Sequence, residues 1–287
     1  MTMQRTAIVF DLAEGPRWFD GRWYFVDILR GRLLTLDAVG HGSLEARRLL
    51  EFEHPLGAVA AVTSTESETW IAALGDGIAL LRRGGFEWID RPEAHLKRVR
   101  MNDGVCDPMG RFWVGSMGYD ARDGAGSLFR VDLDGSVHRV LDGLTIPNGP
   151  AFAADGQTMY LADSARGVIR RYQVDPRAGS LGAGKLFATV ERGVPDGMVL
   201  DEDGDLWVAI WGGSRIDRFR PDGSRVDSLS VDSKQPTSLC FGGADGRELL
   251  ITTASHGLEM PGPGDGAVWR VRAAVKGPGS YASTIRL

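Results

Sequence analysis

The chain alternates short apolar runs with turn clusters and shows almost no helical period. Runs such as "RWYFVDI", "TWIAAL", "RFWVGSM", "SLFRVDL", "TMYLAD", "VIRRYQV", "DLWVAIW" and "ELLITTA" are rich in β-branched and aromatic residues, the pattern of strands. Between them lie "DPMG", "DLDG", "AADG", "DEDG", "RPDG" and "GADG". These clusters set glycine where a positive φ is cheap, and most set aspartate where its side chain bonds the nearby backbone. The pattern predicts an all-β protein.

The runs also repeat. Segments beginning "EGPRWFDGRWYFVD", "LGAVAAVTSTESETWIAAL", "NDGVCDPMGRFWVGS", "NGPAFAADGQTMYLAD", "DGMVLDEDGDLWVAI" and "PTSLCFGGADGRELLITT" each read as an inner strand, a turn and a stronger strand. Their starts lie roughly 40–48 residues apart, the period of a four-stranded propeller blade. The expected architecture is a six-bladed β-propeller forming one domain over residues 1–287, with "RTAIVFDL" and "YASTIRL" as candidates to share a blade and close the ring. A pair of β-sandwiches is the alternative; the even repeat and the lack of a mid-chain composition break argue against it.

Composition narrows the partners. The formal net charge is −5 and no Lys/Arg block occurs, which argues against nucleic acid. No apolar run reaches the roughly 18–20 residues of a membrane span. The start "MTMQRTAIVFDLAEGPRW" has no apolar h-region, so no secretory signal is read and a cytoplasmic location is expected. A monomer or weak homo-oligomer is expected. Cys106 and Cys240 pair only if the fold joins them, and with five scattered histidines they do not make a thiolate-rich zinc site.

The candidate chemistry sits at the blade starts. Glu14 precedes Gly15, Asn102 and Asp103 precede Gly104, Asn148 precedes Gly149, and Asp196 precedes Gly197. In a propeller, equivalent inner-strand positions converge on the central channel. One carboxylate or amide from each blade makes a ring of oxygens suited to a hard divalent cation. Blades two and six depart from this, with Leu56-Gly57 and Pro236-Thr237. Any one Asn-Gly or Asp-Gly is ordinarily a turn. Here "DLDG", "DEDG" and "RPDG" already occupy the turns, leaving a second set at the other strand end. There Gly104 is expected to let the backbone turn away from the axis.

Other candidates carry less. Ser116, Ser164 and Ser255 lack a G-x-S-x-G context. His41 and His138 read as turn or surface residues, whereas His256 is placed to reach the channel mouth. Trp211 is either blade packing or mouth lining, and "MPGPGDG" reads as a loop.

"EGPRW", "RMNDGVCDPMGRFWVGSM", "IPNGPAF", "VPDGMVLDEDGDLWVA" and "SLCFGG" together resemble the gluconolactonase/regucalcin-like family of sugar lactonases over most of the chain. The resemblance implies a six-bladed propeller with one divalent metal in its channel, hydrolysing aldonolactones to aldonic acids. It implies Glu14, Asn148 and Asp196 as metal ligands, Asn102 beside the metal and touching substrate or a ligating water, and Arg100 on substrate oxygens. It also implies Asp196 as general base and Asp103 as a supporting residue. After "GSM" the chain departs from the acidic residue of some family members: Asp120 is the candidate replacement for sugar hydroxyls, with Tyr119 reshaping the pocket. Calcium is the first choice of ion, with Mn²⁺, Mg²⁺, Zn²⁺ and Fe²⁺ as alternatives. A carboxylate fully committed to a metal is a poor base, so Asp196 needs one free oxygen to serve twice. The competing functions are a related propeller hydrolase of non-sugar lactones or organophosphates, and a non-catalytic calcium-binding propeller.

Overall fold

The computed structural model describes residues 3–39, 43–63 and 68–286; His41 lies outside them. Six four-stranded antiparallel sheets follow one another along the chain. Their inner strands are Ala13–Phe19, Leu56–Ala61, Val99–Cys106, Pro147–Phe152, Val194–Leu200 and Pro236–Gly242. Each inner strand packs on the next, and the sixth returns to the first. This is the predicted six-bladed propeller. Among the described residues the helical elements are two short 3₁₀ turns, Ile28–Arg30 and Ser164–Arg166, and no helix is long and apolar enough to cross a membrane.

The core lies between blades. Val26 and Leu33 of the first blade meet Val59 and Trp70 of the second, and Ala58 and Ile71 of the second meet Phe112 and Val114 of the third. Both faces of a blade are therefore apolar, and alternation is weak in strands such as "WIAAL".

The six predicted turn glycines, Gly110, Gly135, Gly156, Gly204, Gly223 and Gly246, all have positive φ. Each donates its amide to the carbonyl three residues back, closing a β-turn. In two blades the turn aspartate does more. Asp107 accepts the amides of Met109 and Arg111 through Oδ1 and the Trp113 indole N–H through Oδ2. Asp201 does the same for Asp203, Asp205 and Trp207. Each clip ties a hairpin loop to the buried aromatic of the next strand.

Ring closure differs from expectation. "RTAIVFDL" does not run as a strand; only Gln4–Arg5 does, pairing with Trp269–Arg272 as the outer strand of the sixth blade. "YASTIRL" does not join that blade. Ser283 bridges Val62 in parallel, Thr284 N–H donates to the Gly110 carbonyl, and Arg286 N–H to that of Leu133. Proline and glycine in "KGPGS" take the tail away from the sixth blade and under the second and third.

The register shifts at one place in all six blades, where inner strand meets second strand. The shifts lie at Glu14/Arg17, Leu56/Ala58, Met101/Gly104, Asn148/Ala151, Pro195/Met198 and Pro236/Ser238. A bulge kinks a strand and re-aims its side chains. Six bulges at one level define a ring of re-aimed positions around the channel.

Candidate active site at the upper end of the channel

A cavity of about 280 Å³ opens at the upper end, lined by Glu14, Arg100, Asn102, Asn148, Ser164 and Asp196 among others. Five sequence candidates thus converge: Glu14, Arg100, Asn102, Asn148 and Asp196. All five lie at or next to a bulge, and all are buried. The sixth, Asp120, is exposed and outside the cavity lining; its Oδ1 accepts the Arg122 amide at 3.3 Å. Tyr119 lines the cavity instead.

The amides form a directed relay. Arg100 Nη1 donates to Asn102 Oδ1 at 2.7 Å. Asn102 Nδ2 donates to Asn148 Oδ1 at 2.5 Å, and Asn148 Nδ2 to Ser164 Oγ at 2.9 Å. Ser164 Oγ ends the run on the Pro195 carbonyl at 2.6 Å. A guanidinium only donates and a carbonyl only accepts, so the two ends fix the orientation of both amides between them. Asn148 Oδ1 keeps a second lone pair beyond the one facing Asn102. Ser164, outside any catalytic serine motif, is here the hinge from the fourth blade to the fifth.

The carboxylates are less satisfied. Glu14 Oε2 accepts the Gly15 amide at 2.5 Å. Asp196 Oδ1 is buried and has no hydrogen-bond partner among the described residues. Burial first, then the negative charges of Asp196 and Asp103, push the Glu14 carboxyl well above the usual range. Burial and Asp103 do the same to Asp196, with Arg100 opposing. Burial pulls Arg100 down from its ordinary value, and the hydrogen bonds it makes among the described residues all use Nη1.

Asp103 does not line the cavity. Its Oδ1 accepts the Gly104 amide at 2.7 Å and its Oδ2 the Gly149 amide at 2.8 Å, tying the third blade to the fourth. Gly104 does not turn the chain through a positive φ. A Cβ there would sit 2.6 Å from the Trp113 carbonyl oxygen, so close strand packing requires the glycine. In the two departing blades, a Cβ on Gly57 would sit 2.3 Å from the Asn102 carbonyl. Thr237 Oγ1 donates to the Ala13 carbonyl at 2.6 Å. Both blades support neighbours at this level.

Most of the remaining wall is apolar. Leu12, Ile28 and Leu29 come from the first blade, and Met117 and Ile146 from the third blade and the entry to the fourth. Val194 and Trp211 belong to the fifth. Little in the sequence marks these aliphatic positions, because blade cores use the same residue types. His256 reaches the lining, its Nδ1 3.2 Å from Asp11 Oδ1.

The donor set fits a hard divalent cation: two carboxylates and an amide oxygen, one carboxylate oxygen orphaned, and no thiolate. Among the described residues no trio of His, Cys, Asp or Glu is arranged as a metal site. The candidate set has only two such residues, its third ligand being Asn148.

A family model described as the SMP-30/gluconolactonase/LRE-like region matches residues 12–255. The 6-deoxy-6-sulfogluconolactonase of Pseudomonas putida is 33% identical over 277 residues, covering 93% of this chain and 92% of that one. The pentonolactonase XacC of Haloferax volcanii is 31% identical over 293 residues, covering 96% of each chain. The crystal structure of a calcium-binding protein, regucalcin, from Agrobacterium tumefaciens superposes with a TM-score of 0.88 at 30% identity, covering 99% of this chain and 97% of that chain.

Proposed function

The chain belongs to the SMP-30/gluconolactonase/LRE-like family, and on that premise we propose that it is a divalent-cation-dependent lactonase opening aldonolactone-type esters to hydroxy acids. The observation that carries the reading is the buried, unpartnered Asp196 Oδ1 beside a second carboxylate whose protonation is raised by the same crowding. Two such groups in one cavity call for a cation.

Glu14, Asp196 and Asn148 Oδ1 would hold the ion, with calcium the first choice and Mn²⁺, Mg²⁺, Zn²⁺ or Fe²⁺ as alternatives. When bound, it would supply Lewis acidity toward the lactone carbonyl. Asp196 takes a proton from the attacking water as the water oxygen bonds to the carbonyl carbon. The acyl–ring oxygen bond then breaks and the proton passes to the departing ring oxygen. Arg100 offers its free N–H groups to substrate oxygens. Asn102 holds Arg100 and Asn148 in register. Asp120 enters this reading only as part of the loop beside the mouth.

Proton release from a panel of aldonolactones, corrected for spontaneous hydrolysis, tests the proposal. The protein is stripped of metal and each ion restored singly. Cation-dependent turnover is expected. Absence of aldonolactone turnover with every ion, from a protein that binds one, would leave a propeller hydrolase of non-sugar esters or a binding propeller instead.

A further inference from the structure

A substrate hydroxyl buried in this cavity needs a partner, and the cavity's polar groups are largely committed. Asn102 uses Oδ1 on Arg100 and Nδ2 on Asn148 and the Pro147 carbonyl. Asn148 Nδ2 and the Ser164 hydroxyl are engaged with each other and with Pro195. Glu14 and Asp196 are the candidate ion ligands. That leaves Arg100 Nε and Nη2, the Tyr119 hydroxyl, and the nitrogen of His256 not turned to Asp11. Tyr119 follows the strand Phe112–Gly118 and donates its amide to the Arg98 carbonyl at 2.9 Å, so it and Arg100 reach the cavity from the same blade.

The other sides offer carbon. The first-blade wall is Leu12, Ile28 and Leu29, and Val194 and Trp211 form the fifth-blade wall. Trp211 can stack on the C–H face of any saturated ring. The aliphatic residues beside it neither donate nor accept through their side chains, so hydroxyls directed there lose water and gain nothing. At about 280 Å³ the cavity suits one small ring, and a water beside the aliphatic walls has no side-chain partner there to bridge to.

We infer that the preferred substrate is a sparsely hydroxylated lactone. One oxygenated edge faces Arg100 and Tyr119, and a deoxygenated or alkyl-bearing edge lies on Leu29, Val194 and Trp211. The inference rests on the lactonase reading above and shifts its preferred substrate from polyhydroxylated aldonolactones toward deoxygenated lactones. The reaction is unchanged: one water adds, the acyl–ring oxygen bond breaks, and a hydroxy acid leaves.

The test uses the full chain with its best-supporting cation. It compares kcat/KM for D-glucono-1,5-lactone with that for δ-valerolactone and its 5-alkyl derivatives, each divided by its spontaneous rate. Matched δ-lactams serve as non-hydrolysable inhibitors, so that Ki reports fit without ester reactivity. Each unpaired hydroxyl costs roughly tenfold. The alkyl lactone and lactam are expected to lead the polyhydroxylated ones by at least about tenfold. Leu29→Gln and Val194→Thr add hydrogen-bonding groups to the apolar walls, and should each narrow that gap about threefold or more, with fold checked by circular dichroism. Equal or better use of the gluconolactone, or a gap unmoved in both folded variants, would overturn the inference while leaving a lactonase. Turnover of no lactone with any cation would remove the lactonase reading and this inference with it.

Discussion

The two ends of the channel are built by the same inner strands and behave oppositely. At the upper end, Glu14, Asn148 and Asp196 surround a cavity of about 280 Å³, and a buried carboxylate oxygen has no partner. Three residues below Glu14, Arg17 sends Nε to the Val59 carbonyl at 3.2 Å, Nη1 to Pro16 at 2.8 Å, and Nη2 to Gly104. One guanidinium thus joins three blades. The space beside it is about 50 Å³, lined by Cys106 and Cys240 and roofed by 278–281 of the tail. Trp18 N–H donates to Ser280 Oγ at 3.0 Å. One end is satisfied and filled; the other keeps charge repulsion that a cation or protonation relieves. Repulsion at a site costs stability, and the rest of the fold must offset it.

Substitutions at the two ends should therefore fail in different ways. Asp196→Ala and Glu14→Ala are each expected to lower kcat/KM for a lactone at least ~100-fold, with the melting temperature held or raised. Near wild-type turnover in Asp196→Ala would exclude it as base and as essential ligand. Arg17→Met should do the reverse, costing about 3 kcal/mol in denaturant unfolding through unsatisfied carbonyls, with kcat of the folded fraction much less affected. Unchanged stability would mean the three-blade tie is dispensable.

A pH series sharpens the same contrast. Glu14 and Asp196 have folded-state pKa values raised by burial and repulsion. Their contribution to stability is therefore present below the ordinary carboxylate range and is lost as pH climbs through the raised values. The cation-free protein should melt lower at about pH 8 than at about pH 5, and a bound divalent ion should flatten that slope. A melting temperature that rises with pH in the cation-free protein would contradict the carboxylate cluster. The smallest effect is expected from Ser280→Ala, about 1 kcal/mol. It should also speed thiol-reagent labelling of Cys240, whose Sγ lies 3.3 Å from Ser280 Oγ. Unaltered labelling would show that the tail covers the cavity without that hydroxyl.

Legibility in the sequence followed the range of the forces involved. Turn glycines such as Gly135 and Gly204 were readable because a positive φ is a local demand. The blade period was readable because each blade repeats the same burial. The convergence of Glu14, Asn148 and Asp196 followed from that period. The bulges did not show, because one extra residue in a short strand leaves hydrophobic spacing nearly intact. Gly104 looked like a turn because its constraint, the Trp113 carbonyl, comes from a neighbouring strand. Asp120 had the right chemistry in the right loop, but its carboxylate is turned to the Arg122 amide. The tail alternates like a strand, and only the position of the sixth blade decides that it runs beneath the ring.

Ring closure has a consequence for order in time. Gln4–Arg5 pairs with Trp269–Arg272, so Gln4 and its partner Arg270 meet across 266 positions of chain. Blades one to five pair strands that follow one another along the chain, but the sixth sheet needs one pairing of long sequence separation. Contacts of such long sequence separation form slowly, and until they do the outer edge at Trp269–Arg272 is an open strand that invites pairing with another chain.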